Sequence, residues 1–287
     1  MKKRILAIVI ILIILTLLCL SAWLMLWYLS DNTTLTTTTY QVSNAALPEA
    51  FSGFRIAQIS DLHNTVFGDD NEPLLTCLQA EDPDIIVFTG DTVDVRRTDT
   101  QVVIDFAEKA LQIAPCYMVK GNHEAGIRGY AEYEAKLEQL GVVVLNDEAV
   151  TLDRNGSHIT LIGLDDPTLS YLYPENGSEY VIQLALKQLE PALEGYSILL
   201  AHHPEWLEHY AEYETELVLS GHAHGGQIRL KKWGGILAPD QGFFPKYDAG
   251  QYQLKNTTMI LSRGLGNSLF PYRIQNPPEL VMIELTP

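Results

Sequence analysis

Residues 54–63 read FRIAQISDLH: an Ile-containing apolar run ends at Ser60 and gives way to an aspartate and a histidine. Short runs of this kind, with branched side chains and no alternation, are the mark of strands buried on both faces. The pattern recurs four times. DIIVFTG (84–90) runs into Asp91, and CYMVKG (116–121) runs into Asn122, His123 and Glu124. SILLA (197–201) runs into His202 and His203, and LVLSG (217–221) runs into His222, Ala223 and His224. In an open α/β sheet, ligands bind outside the carboxyl ends of the strands, where the loops converge. Five strands delivering Asp, Asn and His to that edge form a metal-type constellation.

Each residue also has an ordinary reading. Asp61 or Asp91 alone caps a following turn, Gly90 and Gly121 are turn glycines, and His63 or His202 is a satisfied buried histidine. These readings must all hold together to explain the pattern, and a shared metal site explains it at once. The remaining histidines do not belong to it. His203 follows His202 directly, so alternation along a strand aims it the other way, and His158 and His209 read as surface residues. Asp165 and Asp166 also follow an apolar run, either reaching towards the site or turning with Pro167.

Between the apolar runs lie segments with helical periodicity at 72–80, 100–113, 130–140 and 179–189. With further runs at 142–145 and 159–164, this alternation predicts an α/β domain. Hairpin signals in the later half, Asn155-Gly156, Gly234-Gly235 and the stretch 251–262, make the sheet layer mixed. The 287 residues suffice for one large core. With 36 acidic against 19 basic residues the net charge is −17, which disfavours nucleic-acid binding. Cys19, Cys77 and Cys116 form neither a disulfide framework nor a zinc-finger spacing. Sequons stand at Asn32, Asn155, Asn176 and Asn256, and matter only in a glycosylating host.

The N-terminus reads differently. Lys2, Lys3 and Arg4 precede a run from Ile5 to Leu29 without a charge, and Trp23, Trp27 and Tyr28 crowd its far end. At about 1.5 Å per residue the run is long enough to cross about 30 Å of hydrocarbon. It is too long for the apolar core of a cleaved signal peptide, and Ser21-Ala22-Trp23 is a poor cleavage site. The reading is an uncleaved signal anchor over residues 1–30, with the N-terminus cytoplasmic and the large acidic domain outside. Residues 31–39 read as a Thr-rich tether running into a strand near 37–42, and 40–287 as the catalytic domain.

The blocks D-x-H (Asp61, His63), G-D (Gly90, Asp91), G-N-H-E (Gly121 to Glu124), a strand-end His (His202) and G-H-x-H (Gly221 to His224) resemble, in that order, the calcineurin-like metallophosphoesterases. The N-terminal anchor, ISDLH, GHAHGGQIR and the closing SRGLGNSLFPYRIQNPPELVMIEL resemble the membrane-anchored bacterial branch similar to UDP-2,3-diacylglucosamine pyrophosphatase. The resemblance spans nearly the whole chain. It implies a four-layer α/β-β-α sandwich with two facing mixed sheets and two divalent ions, Mn, Fe or Zn. Asp61, His63 and His224 would hold the first ion, Asn122, His202 and His222 the second, and Asp91 would bridge them. His123 would protonate or stabilise the leaving-group oxygen, and Arg263 either contacts phosphate or serves structure.

The implied activity is hydrolysis of a phosphodiester, phosphomonoester or pyrophosphate by metal-activated hydroxide. An anchored site suits a lipid or envelope phosphoester. A nucleotide-diphosphate sugar lipid would require a cytoplasmic site, against the charge asymmetry. The competing reading is a non-catalytic metal-binding scaffold or sensor of the same fold. It is disfavoured because every ligand position and His123 are filled.

Overall fold

The computed structural model describes residues 2–167 and 177–287. A long helix α1 (Lys2–Thr33) leads into β1 (Thr36–Ser43) and β2 (Arg55–Ile59). Then follow α2 (Glu72–Glu81), β3 (Ile85–Thr89), α3 (Thr100–Ala110), β4 (Cys116–Val119), α4 (Asn122–Gly126), α5 (Tyr130–Leu140) and β5 (Val143–Val144). β6 (Glu148–Arg154), β7 (Ser157–Gly163), α6 (Gly177–Leu189), β8 (Ser197–Leu200), α7 (Leu207–Glu212) and β9 (Leu217–Ser220) build the second half. Two small hairpins come next, β10 (Arg229–Leu230) with β11 (Gly234–Gly235) and β12 (Leu237–Ala238) with β13 (Gly242–Phe243). The chain closes with β14 (Gly250–Leu254), β15 (Thr257–Leu261) and β16 (Glu279–Thr286).

Two six-stranded sheets carry the domain, in the orders β1-β16-β2-β3-β4-β5 and β14-β15-β9-β8-β7-β6. Both are mixed: β2, β3 and β4 run parallel while β16 is antiparallel to β2, and β7, β8 and β9 run parallel while β6 and β14 pair antiparallel at the edges. The pleat explains the unbroken apolar runs. Ile56, Ile85 and Val87 face Ile198, Leu200, Leu217 and Leu219 across the space between the sheets. Their neighbours Ala57, Ile86 and Phe88 turn outward onto α2, α3 and α5, and Leu199 and Val218 turn onto α6 and α7. Each central strand thus needs apolar residues at every position. The result is the expected four-layer α/β-β-α sandwich.

The helices at 72–80, 130–140 and 179–189 fall within a residue or two of their expected bounds, while α3 stops at Ala110. Asn155-Gly156 makes the β6–β7 turn, both residues having positive φ (51° and 82°). Gly234-Gly235 is itself the strand β11, and the hairpin turns at residues 231–233 instead. Residues 31–39 form no long tether: α1 continues to Thr33 and β1 begins at Thr36. Eight register pairs with β16 draw the Thr-rich segment into the sheet, as β-branched side chains favour.

The most apolar 18-residue window within Arg4–Thr33 has a mean hydropathy of 3.3, and none of it is buried. The 32-residue helix α1 is about 48 Å long, enough to cross a bilayer with tilt. Trp23 and Tyr28 are exposed near its end. The side chain of Trp27 and the sequon at Asn176 lie outside the described residues.

Candidate metal centre

The loops after β2 and β3 are stitched to each other: the amides of Asp61, His63 and Asn64 donate to the carbonyls of Gly90, Asp91 and Thr92, each at 3.0 Å. After β8 and β9, Gly221 N–H donates to His202 O at 3.1 Å. The two pairs of loops meet where His222 N–H donates to the Asp61 carboxylate at 3.0 Å. Asp61, His63, Asp91, His222 and His224 all have left-handed backbones, with φ of 51°, 47°, 52°, 69° and 48°. Such conformations cost non-glycine residues about 1–3 kcal/mol each and cluster at functional sites. Here they turn five polar side chains back over the strand ends.

Two glycines exist for contact as well as for turning. A Cβ on Gly121 would stand 2.3 Å from Asp91 Oδ1, and one on Gly221 would stand 2.0 Å from Ser60 Oγ and 2.5 Å from Asp61 Oδ2. The two buried carboxylates lie directly against these backbones. Glu124 binds the loops from beneath. Its fully buried carboxylate accepts from the amides of Asp91 (2.8 Å), Thr92 (2.7 Å), Val93 (3.0 Å) and Gly121 (2.9 Å), and from Thr92 Oγ1 (2.7 Å).

The seven residues singled out as ligands all come to this one place. His63 Nε2 lies 3.1 Å from His224 Nε2, and the latter is 3.5 Å from Asp61 Oδ1. His202 Nε2 lies 3.2 Å from His222 Nδ1. Asp91 Oδ2 stands between the two histidine pairs, 3.3 Å from His202 Nε2 and 3.6 Å from His63 Nε2. Of four overlapping donor groups among the described residues, two fall wholly on these ligands, Asp61–His63–His224 and Asp91–His202–His222; the others are His63–Asp91–His123 and His203–Glu205–His222–Asp240. Asn122 opens α4, and its buried Oδ1 has no hydrogen-bond partner among the described residues.

The hydrogen bonds assign the tautomers of one pair. His202 Nδ1–H donates to Thr89 O at 2.7 Å, and His222 Nε2–H donates to Asp240 Oδ2 at 2.8 Å. His222 Nδ1 is thereby left an acceptor. Burial opposes charge on His202, but Asp91 beside its Nε2 prevails and raises its pKa well above the ordinary imidazole range. In the metal-free chain a proton therefore stands on Nε2, where a cation would bind. Burial pushes His63 down to about 4 and His224 down to about 3, so both are neutral near pH 7. Their Nδ1 atoms have no partner among the described residues. Burial opposes charge on Asp61 and Asp91, but the surrounding histidines hold both below the usual carboxylate range. Clustered imidazole nitrogens, the amide oxygen of Asn122 and carboxylates held ionised fit divalent cations bound through nitrogen and oxygen, with the His202 Nε2 proton released on binding.

His123 stands beside this group, its ring 4.5 Å from that of His63. Val95 N–H donates to its Nδ1 at 3.0 Å, which leaves the proton on Nε2, 3.3 Å from Ser268 Oγ. Arg263 pairs with buried Glu279 at 2.9 Å and bonds Thr36, a structural role. His203 departs from its expectation: its ring lies 4.2 Å from that of His222. β8 ends at Leu200, so strand alternation no longer governs residue 203. Its Nε2 and Nδ1 meet Asp166 (2.9 Å) and Glu205 (2.8 Å). His203 and Glu205, with Asn122, Pro167, Ser178, Trp206 and Asp240, line a cavity of about 360 Å³ beside the donor groups. Asp240, Ser268 and Asn276, whose side chain donates to His224 O, escaped sequence reasoning because they come from irregular loops without a motif.

Comparison with known proteins accords with this geometry. A family model of calcineurin-like phosphoesterases matches residues 54–226. The chain is 33% identical over 256 residues to the uncharacterized metallophosphoesterase YkuE of Bacillus subtilis (strain 168), covering 87% of this chain and 85% of YkuE. It is 30% identical over 266 residues to a transmembrane protein with metallophosphoesterase domain of Bos taurus, covering 86% of this chain and 56% of that protein. It is 26% identical over 241 residues to phosphodiesterase YaeI of Escherichia coli (strain K12), covering 81% and 82%. The crystal structure of TT1561 of Thermus thermophilus shares the fold, with a TM-score of 0.50 and 15% identity over 74% of this chain and 90% of that one. The chain belongs to the calcineurin-like phosphoesterases, hydrolases of phosphoester bonds that use divalent metals.

Proposed function

We propose that this chain is a membrane-anchored phosphoesterase with a two-ion centre. Asp61, His63 and His224 hold one ion, Asn122, His202 and His222 hold the other, and Asp91 is shared. The observation that carries the reading is the position of Asp91 Oδ2, within reach of a histidine from each donor group at once. The donor set suits Mn, Fe or Zn. Two such ions supply Lewis acidity, lowering the pKa of the water nucleophile and neutralising charge on the phosphoryl oxygens.

The protein's own residues do the rest. Asp61 and Asp91, pinned against Gly221 and Gly121, hold the donor groups at fixed separation. His202 Nε2 and His222 Nδ1 are held inward because the opposite N–H of each ring donates to Thr89 O and Asp240 respectively. His123 directs its Nε2–H at the leaving-group oxygen and stabilises the negative charge that develops there, full proton transfer requiring the imidazolium form. α1 is the anchor, with Lys2, Lys3 and Arg4 on the cytoplasmic side, and a single catalytic domain runs from β1 to Pro287. The substrate is a phosphodiester, phosphomonoester or pyrophosphate, and the anchor favours a lipid or envelope phosphoester.

The full chain in nanodiscs, reconstituted with Mn, tests this against bis-p-nitrophenyl phosphate, p-nitrophenyl phosphate and pyrophosphate, with elemental analysis alongside. Two ions per chain, together with hydrolysis that His123→Ala removes without metal loss, is the expected result. Metal uptake without hydrolysis of any of the three would favour a sensor. Metal loss in His123→Ala would withdraw its role at the leaving group. A reporter fused after Pro287 tests the orientation.

A further inference from the structure

The last turn of α1 does not leave the domain freely. Asn32 and Arg273 exchange two hydrogen bonds: Arg273 N–H donates to Asn32 Oδ1 at 2.7 Å, and Asn32 Nδ2 donates to Arg273 O at 3.1 Å. Gln275 N–H donates to Asp31 Oδ2 at 2.6 Å, and the ring of Tyr272 packs on that of Tyr28 at 5.7 Å. Arg273 is buried, and its guanidinium donates to the carbonyls of Arg263 and Gly266. The segment carrying Leu269 and Phe270 is therefore clamped to the point where the helix emerges. Three residues of chain reach at most about 10 Å, and the headgroup layer is about 5–8 Å deep on each side. Leu269 and Phe270 are therefore held within about that distance of the headgroup layer.

Their side chains are of the kind that level accepts. Leu269 is 80% exposed, and half-exposed Tyr272 and Phe270 pack ring against ring at 5.8 Å. The neighbouring hairpins repeat the pattern. Arg229 N–H donates to Ile274 O at 2.9 Å, tying the β10–β11 hairpin to the same segment, and the tip of that hairpin bears exposed Trp233 beside Lys231 and Lys232. Phe244 N–H donates to Ile236 O, and Phe243 and Phe244 are exposed as well. Aromatic residues beside lysines, on a strongly acidic chain, match an interface of apolar tails and anionic headgroups. The other end of the clamped segment reaches the metal centre, where Ser268 Oγ lies 3.3 Å from His123 Nε2.

We propose that Leu269, Phe270 and Tyr272, extended by Trp233, Phe243 and Phe244, form a second membrane contact that seats the mouth of the metal centre in the lipid headgroup layer. The proposal rests on the reading of α1 as a membrane anchor. It makes the phosphoester within reach one presented at the bilayer surface.

The test uses the full chain in nanodiscs of phosphatidylethanolamine and phosphatidylglycerol, with Cys19 and Cys77 changed to serine and buried Cys116 retained. Leu269→Cys carries a bimane label, Phe243→Cys repeats the measurement on a separate hairpin, and Leu12→Cys reports on α1 alone. With a nitroxide at a shallow lipid position, bimane at 269 and 243 is expected to lose roughly half its intensity, as for groups about 5–10 Å into the interface. Aqueous iodide is expected to reach both labels several-fold less than in detergent-free denaturant. Quenching at 12 with only iodide quenching at 269 and 243 overturns the proposal and leaves the anchor standing. Shielding of 269 and 243 from both quenchers means that a protein covers the surface, and also overturns it. Absence of lipid quenching at 12 removes the anchor and the proposal together.

Discussion

Replacing Glu124 is expected to cost more than replacing any single ligand of the centre, although Glu124 is not among them. Its carboxylate is the acceptor for four backbone N–H groups and one hydroxyl on the two loops that carry Asp91 and Asn122. Alanine leaves the four amides buried without that partner, at about 1 kcal/mol or more each even if water enters the space, while the Thr92 hydroxyl keeps its contact with the Tyr133 hydroxyl at 2.9 Å. The loss is then about 4 kcal/mol or more. For a domain of this size, about 2–4 °C per kcal/mol gives a fall in Tm on the order of 10 °C. Glutamine discriminates further. Its oxygen can serve the three donors of Thr92 and Val93, which leaves its NH2 facing the amides of Asp91 and Gly121. Two bonds are lost and the cost is about 2 kcal/mol. Thermal melts of the reconstituted chain should rank wild type above Glu124→Gln and Glu124→Ala last, with metal content falling in the same order because Asp91 and Asn122 ride on these loops. A Glu124→Ala protein that melts within about 2 °C of wild type and keeps its full metal content would refute the clamp.

The same geometry makes three other outcomes specific. Gly221→Ala drives a methyl into Ser60 Oγ and Asp61 Oδ2, so stability should fall by about 1–3 kcal/mol, read by denaturant melts, with weaker metal retention under dialysis. Stripping the metal with a chelator should lower Tm on the order of 10 °C when the free ion had been about 1,000-fold above its Kd, since binding then contributes about 4 kcal/mol. A chelator-insensitive melt would count against occupied sites. In the metal-free chain burial opposes charge on His203, but hydrogen bonds to Asp166 and Glu205 prevail and raise its pKa to about 9. The folded value lies above the unfolded one of about 6.5, so this stabilisation, at most about 3 kcal/mol, is complete below pH about 6.5 and is lost as pH rises through about 9. Asp166→Asn should flatten that decline in melts taken across the same range.

The central strands and the candidate ligands were legible without coordinates for one reason. A strand buried on both faces must be apolar throughout, so the point where FRIAQIS or LVLSG turns polar marks both the strand end and the residues delivered there. The N-terminal helix was legible because a bilayer demands an unbroken apolar length. Neither rule reaches contacts between segments distant in sequence. β16 lies between β1 and β2, although about 220 residues separate it from the latter. Asp240 meets His222, Ser268 meets His123, and Asn32 grips Arg273. His203 turned towards the centre because the strand had already ended. Periodicity and motifs record what a residue owes to its own segment. The partners of a loop residue are chosen by how the sheets stack, and only the tertiary structure decides that.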